Sequence, residues 1–229
     1  MGCAAILFHW FTLGLAATLR IMPLGDSLTA GGYNLNDQYL IGGGYRVKLE
    51  QILHQGALGL DFTFVGSLHN GPAGFIDNAH EGHSGFRIDQ LQAGVTGWLD
   101  AARPDVILLM IGTNDVIQGY DLDHAPDRFA SLLESIEEAA PDAAILVASP
   151  IPTEDESWNA EIETYSFDIQ QMVQKQARRG HFVGFVDMYD DAGIHHDRTD
   201  LIDGVHPNPT AYEKLSQVWG NILLNNIEH

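Results

Sequence analysis

Five stretches of the chain are almost continuously apolar and rich in branched side chains. They are "LRIMPLG" (19–25), "DFTFVGSL" (61–68), "DVILLMIG" (105–112), "AAILVASP" (143–150) and "HFVGFVDM" (181–188). Most do not alternate between apolar and polar positions, which is the pattern of strands covered on both faces. Between them the apolar positions recur at helical spacing. "GYRVKLEQILHQG" closes on a glycine suited to a helix C-terminus. "RIDQLQAGVTGWLDAA" puts Ile88, Leu91, Val95, Trp98 and Leu99 near one face and stops before Pro104. "PDRFASLLESIEEAA" and "EIETYSFDIQQMVQKQARRG" follow, and "NPTAYEKLSQVWGNILLNNI" ends the series, with Asn208 as cap and Pro209 in the first turn. Regular alternation of strand and helix predicts one α/β domain, a three-layer α/β/α sandwich around a five-stranded parallel sheet with right-handed crossovers. Sheets of this kind bind ligands beyond the carboxyl ends of their strands.

Four polar clusters fall at that end. "GDSLT" follows the first strand, "EGHSG" (81–85) the second, "GTND" (112–115) the third, and "DGVHPN" (203–208) lies beyond the fifth. A serine hydroxyl becomes a nucleophile only when a base takes its proton. Ser27 is the candidate nucleophile and His206 the candidate base, because histidine titrates near neutrality. Asp203, three residues earlier, can fix the imidazole tautomer and stabilise the imidazolium. Donors for the developing oxyanion are the backbone N–H groups of Ser27 and Gly82 and the side-chain amide of Asn114. Each residue also has a plain structural reading. Ser27 and His206 suit helix caps, Asn114 an Asx turn and Gly82 a left-handed turn. Their occurrence together favours chemistry.

Composition narrows the partners. The 229 residues are 45% hydrophobic, enough for one sizeable core, and carry a formal charge of -20. Such a surface repels phosphate backbones and anionic headgroups, so no nucleic-acid partner is expected, and the substrate is neutral or cationic. The single cysteine, Cys3, allows neither an intrachain disulfide nor a cysteine-based metal cluster. "HHDRTDLIDGVH" invites a metal reading through His195, His196, Asp197, Asp200 and His206, but it lacks a recognised ligand spacing, so no metal or other cofactor is expected. Residues 1–17, "MGCAAILFHWFTLGLAA", form an uncharged apolar run of signal-peptide length without a basic start. The run reads as a leader of an exported protein, or as an extra segment packed on a cytoplasmic one. It is short for a stable membrane span. Residues 18–229 then form the domain.

The blocks "GDSLT", "EGHSG", "GTND" and "DGVH", in this order, resemble the GDSL or SGNH hydrolases over about residues 20–225. Within that superfamily "IMPLGDSLT", "GGYRVKLEQIL", "HEGHSGFRIDQL", "PDVILLMIGTND" and "DGVHPN" are most similar to the acetyl xylan esterases of carbohydrate esterase family 3. The resemblance implies a flavodoxin-like strand order 2-1-3-4-5. It also implies the triad Ser27–Asp203–His206 and an oxyanion hole of Ser27, Gly82 and Asn114, with Gly85 close by as the other candidate for the glycine N–H. The expected function is a serine esterase that deacetylates a polysaccharide such as xylan through an acyl-enzyme. The alternatives are a short-chain acyl esterase or lysophospholipase on the same scaffold and, in a different class, a non-catalytic carbohydrate-binding module. Tyr33, Tyr120 and Trp158 are candidates to line a sugar site. Trp98 and Trp219 read as core.

Overall fold

The structure is a computed structural model that describes residues 18–32, 42–56 and 61–226. The apolar run 1–17 and Tyr33 lie outside the described residues. The first strand, β1 (Leu19–Gly25), leads into a single helical turn, α1 (Ser27–Ala30), and then α2 (Gly44–Gly56). Three short strands follow: β2 (Phe62–Phe64), β3 (Leu68–His69) and β4 (Ala79–Gly82). The chain continues through α3 (Ile88–Ala102), β5 (Val106–Met110), α4 (Thr113–Ile117), α5 (Ala125–Ala139), β6 (Ala144–Ala148), α6 (Glu156–Arg178), β7 (Val183–Val186), α7 (Met188–Asp191) and α8 (Pro209–Asn226).

The sheet runs β3-β4-β1-β5-β6-β7, with β2 also paired to β1. Every pair is parallel except the β3–β4 hairpin. The fold class is the expected α/β sandwich, but the described residues contain seven strands rather than five. The difference lies in the second position. β2 covers the first half of β1, from Leu19 against Phe62 to Ile21 against Phe64. β4 covers the second half, with Leu24 against Glu81 and Gly25 against Gly82. Counted as one position, β2 and β4 restore the order 2-1-3-4-5. The split occurs because the 61–68 segment leaves the sheet at Gly66. A Cβ there would stand 2.2 Å from the His80 carbonyl group, a spacing only glycine tolerates.

The continuous apolar strands serve two cores at once. Leu19, Ile21, Val106, Leu108, Met110, Ala144 and Leu146 face α2 and α8. Met22, Leu24, Ile107, Leu109, Ile145 and Val147 face α3, α5 and α6. Alternate side chains along one strand thus enter opposite layers, as the pleat requires. Trp219 of α8 is fully buried in the first layer. Asn208 caps α8, its Oδ1 accepting the Ala211 N–H at 2.9 Å. No described helix is long and apolar enough to cross a membrane.

Candidate active site

β1 delivers Ser27 to the carboxyl edge of the sheet through a tight turn. A Cβ on Gly25 would lie 2.1 Å from the Met110 carbonyl oxygen, so glycine is required where α1 closes over β1 and β5. Asp26 then caps α1, its Oδ1 accepting the Leu28 N–H at 2.9 Å. Ser27 is the first residue of that turn.

The Ser27 Oγ lies 2.8 Å from His206 Nε2, and His206 Nδ1 lies 2.8 Å from Asp203 Oδ2. With a carboxylate at Nδ1, the proton sits on that nitrogen and the Nε2 lone pair faces the hydroxyl. The other Asp203 oxygen accepts the Val205 and His206 N–H groups at 3.0 and 2.8 Å, so one carboxylate fixes both the loop and the ring. Partial burial works to raise the Asp203 carboxyl. The hydrogen bonds from the His206 N–H and ring outweigh it and leave the carboxyl below its ordinary value. The loop is closed at its base, where Ile202 donates to the His206 carbonyl at 2.8 Å and Asn208 to the Asp200 carbonyl at 2.7 Å. Asp200 also accepts the His195 N–H at 2.7 Å and pairs with Lys214 Nζ at 2.6 Å. That carboxylate is committed to the loop. Among the described residues, no group of three or more His, Cys, Asp or Glu side chains is arranged to hold a metal.

Asn114 sits in α4, immediately after β5. Its amide donates to the Phe86 carbonyl at 3.0 Å and lies 3.3 Å from Asp26 Oδ2. Burial pushes the Asp26 carboxyl up to about 7, against the pull of the Leu28 N–H; the nearby Asp115 adds to the rise. Asp115 braces α3, accepting the Ile88 N–H at 3.0 Å and pairing with Arg128 at 3.0 Å.

The two candidate glycines stand in different settings. Gly82 is not in a loop but in β4, where a Cβ would stand 2.4 Å from the Ala30 nitrogen, so it lets α1 pack on the sheet. Its N–H donates to His80 Nδ1 at 3.0 Å. Gly85 is placed differently. Residues 83–86 form a turn closed by the Phe86 N–H on the His83 carbonyl at 3.1 Å, and Gly85 occupies its third position at φ +81°. That is the type II position that favours glycine. The carbonyls of this turn are held by side chains from α4 and from the residue that ends it. Gln118 donates to Gly85 at 3.3 Å, and Asn114 holds the next carbonyl. The Gly85 and Ser27 N–H groups have no hydrogen-bond partner among the described residues.

Three groups in this region escaped the sequence reading. Glu81 is fully buried and accepts from the Ser67 N–H and hydroxyl and from His83 Nε2, at 2.7, 2.8 and 2.7 Å. The His83 ring then stacks on Phe86 and Trp98, with centroids 4.8 and 4.3 Å away. Arg46, also fully buried, donates to the carbonyls of Thr29, Ala30, Asn70, Asn78 and Ala79. The signal for Glu81 was "EGH" itself, two ionisable residues around a strand glycine. Tyr120 carries the guanidinium of Arg87 at 4.0 Å from its ring centroid and that of Arg128 at 4.9 Å, so it is not a bare platform for a sugar. Trp158 stands half-buried at the start of α6.

Residues 24–214 match the GDSL-like Lipase/Acylhydrolase family. A multidomain esterase of Ruminococcus flavefaciens is 32% identical over 89% of this chain and 28% of its own length. A putative endoglucanase X of Acetivibrio thermocellus is 29% identical over 58% of this chain and 55% of its own. The chain thus spans between about a quarter and about half of the length of the curated relatives it matches. Among solved structures, a family 3 carbohydrate esterase of Clostridium thermocellum superposes with a TM-score of 0.76 at 32% identity, covering 91% of this chain and 98% of that one. A carbohydrate esterase family 3 structure from Talaromyces cellulolyticus gives 0.77 at 26% identity, over 92% and 100% of the two chains.

Proposed function

The chain belongs to the GDSL-like lipase/acylhydrolase family, and on that footing we propose that it is a serine carboxylic ester hydrolase that removes acetyl groups from a polysaccharide such as xylan. One observation carries the reading: the unbroken relay from Asp203 through His206 to the Ser27 hydroxyl, with both contacts at 2.8 Å. In this reading Ser27 Oγ attacks the ester carbonyl as His206 Nε2 takes its proton. Asp203 stabilises the imidazolium without itself becoming protonated. The oxyanion accepts from the free N–H groups of Ser27 and Gly85. The Asn114 amide joins them by giving up its long contact to Asp26. Collapse expels the sugar alkoxide, which His206 protonates. Water activated by the same histidine then releases acetate from the acyl-enzyme.

The acetyl and carbohydrate assignments draw support from the family 3 carbohydrate esterases at 32% and 26% identity. A polymeric substrate places the work outside the cell, which agrees with reading residues 1–17 as a leader. The test compares acetyl with octanoyl nitrophenyl esters and then measures acetate released from acetylated xylan. Acetyl is expected to be preferred and acetate to be released. A clear octanoyl preference would replace this reading with the lysophospholipase one.

A further inference from the structure

Beside the 83–86 turn, between the end of α1 and the β3–β4 hairpin, lies an open groove of about 420 Å³. That volume is within the roughly 300–1,000 Å³ of small-molecule sites. Its walls include Leu68, His69, Asn70, His80, Ser84 and Phe86. It adjoins the reacting centre on two sides. Ser84 and Phe86 flank Gly85 in the chain, and Ala30, also on its wall, ends the helical turn that Ser27 begins.

One side chain in this groove is out of balance. His80 is only 2% exposed, and its Nδ1 is used as the acceptor for the Gly82 N–H. The ring proton therefore sits on Nε2, which needs an acceptor and has none among the described residues. Nor is Nε2 among the sealed polar atoms, so it reaches the groove surface. Burial also drives the His80 pKa down to about 3, so the ring offers a neutral N–H rather than a charge. A neutral donor, an apolar wall at Leu68 and Phe86 and a net charge of -20 all disfavour an anionic ligand and suit a hydroxylated ring.

We propose that this groove is a glycan subsite that holds the sugar residue next to the acylated one, with His80 Nε2–H donating to one of its oxygens and Leu68 and Phe86 packing against its C–H face. The proposal rests on the polysaccharide reading above.

The test uses the full protein, with acetylated xylotriose and nitrophenyl acetate as parallel substrates; the small ester reaches only the acyl site. His80→Asn withdraws the groove donor, while the asparagine oxygen can still take the Gly82 N–H in an Asx turn. Leu68→Ala trims the exposed wall, at a position 37% accessible where folding is not at risk. In each variant the ratio of kcat/KM for xylotriose to that for nitrophenyl acetate is expected to fall about three- to tenfold, the worth of one neutral hydrogen bond or a small apolar contact. The loss should fall mainly on KM for the oligosaccharide. An unchanged ratio in both variants, with wild type active on the oligosaccharide, would overturn the groove alone. If His80→Asn fails to fold, Leu68→Ala decides by the same ratio. Wild type that cleaves nitrophenyl acetate but leaves acetylated xylotriose intact would overturn the substrate reading and the groove together.

Discussion

The Ser27 hydroxyl owes its setting to groups that arrive from far along the chain: His206 stands 179 residues later, and Asn114 lies on another strand end. The Asn114 amide is the most exposed to test, because it combines an observed bracing contact with the proposed chemical role. Its bond to the Phe86 carbonyl at 3.0 Å is structural, whereas its contact to Asp26 at 3.3 Å is long and can be exchanged for an oxyanion. Asn114→Ala should therefore lower kcat by roughly 10²–10³ with KM little changed, as for the loss of an oxyanion donor. Near-normal kcat with a clearly lowered thermal midpoint would make Asn114 a turn former only. At this scale most of the site was legible, because Ser27, Asn114, Asp203 and His206 stand in short motifs in a fixed order. The glycines were not. Gly82 and Gly85 are three residues apart, and sequence does not say that the first lies in a strand packed against Ala30 while the second turns at φ +81°.

The elements show where pattern reading stops. The run 19–25 became β1 unchanged, and the other long apolar runs became β5, β6 and β7 with ends trimmed by a residue or two; β5 and β6 are buried at every position, whereas β7 is fully buried only at its two ends. "AHEG" gave no strand signal, being four residues long with a histidine and a glutamate, yet it is β4 and carries the turn with Gly85. Those two polar side chains are buried because Gly82 and Ser67 supply their hydrogen bonds. Holding this hairpin against α1 falls to Arg46, whose five carbonyl partners come from both elements. Burial lowers its pKa only to about 10, so it remains charged at neutral pH. Arg46→Met should cost several kcal/mol, on the order of 3, because it strands buried carbonyls. Arg46→Lys should recover only part, since an ammonium cannot fork across both elements. Urea unfolding measures both; a loss under about 1 kcal/mol for Arg46→Met would remove Arg46 from this role.

Across the whole molecule, a parallel sheet gathers strand ends on one edge, and the four motif blocks meet there because each follows or lies beyond a strand. Alternation of strand and helix was enough to foresee that convergence. The split of the second strand was not foreseeable, since it depends on Gly66 meeting the His80 backbone across space. The acidic surface, with a formal charge of -20, leaves the site open to neutral esters. The central claim is that the Asp203–His206 pair makes Ser27 a nucleophile that becomes acylated. Its most direct measurement is the intact and peptide mass after reaction with a fluorophosphonate probe, for wild type, Ser27→Ala and His206→Ala. One adduct per chain is expected, located on Ser27, absent in Ser27→Ala and formed far more slowly in His206→Ala. A folded wild-type protein that stays unlabelled, or an adduct that persists in Ser27→Ala, would contradict it.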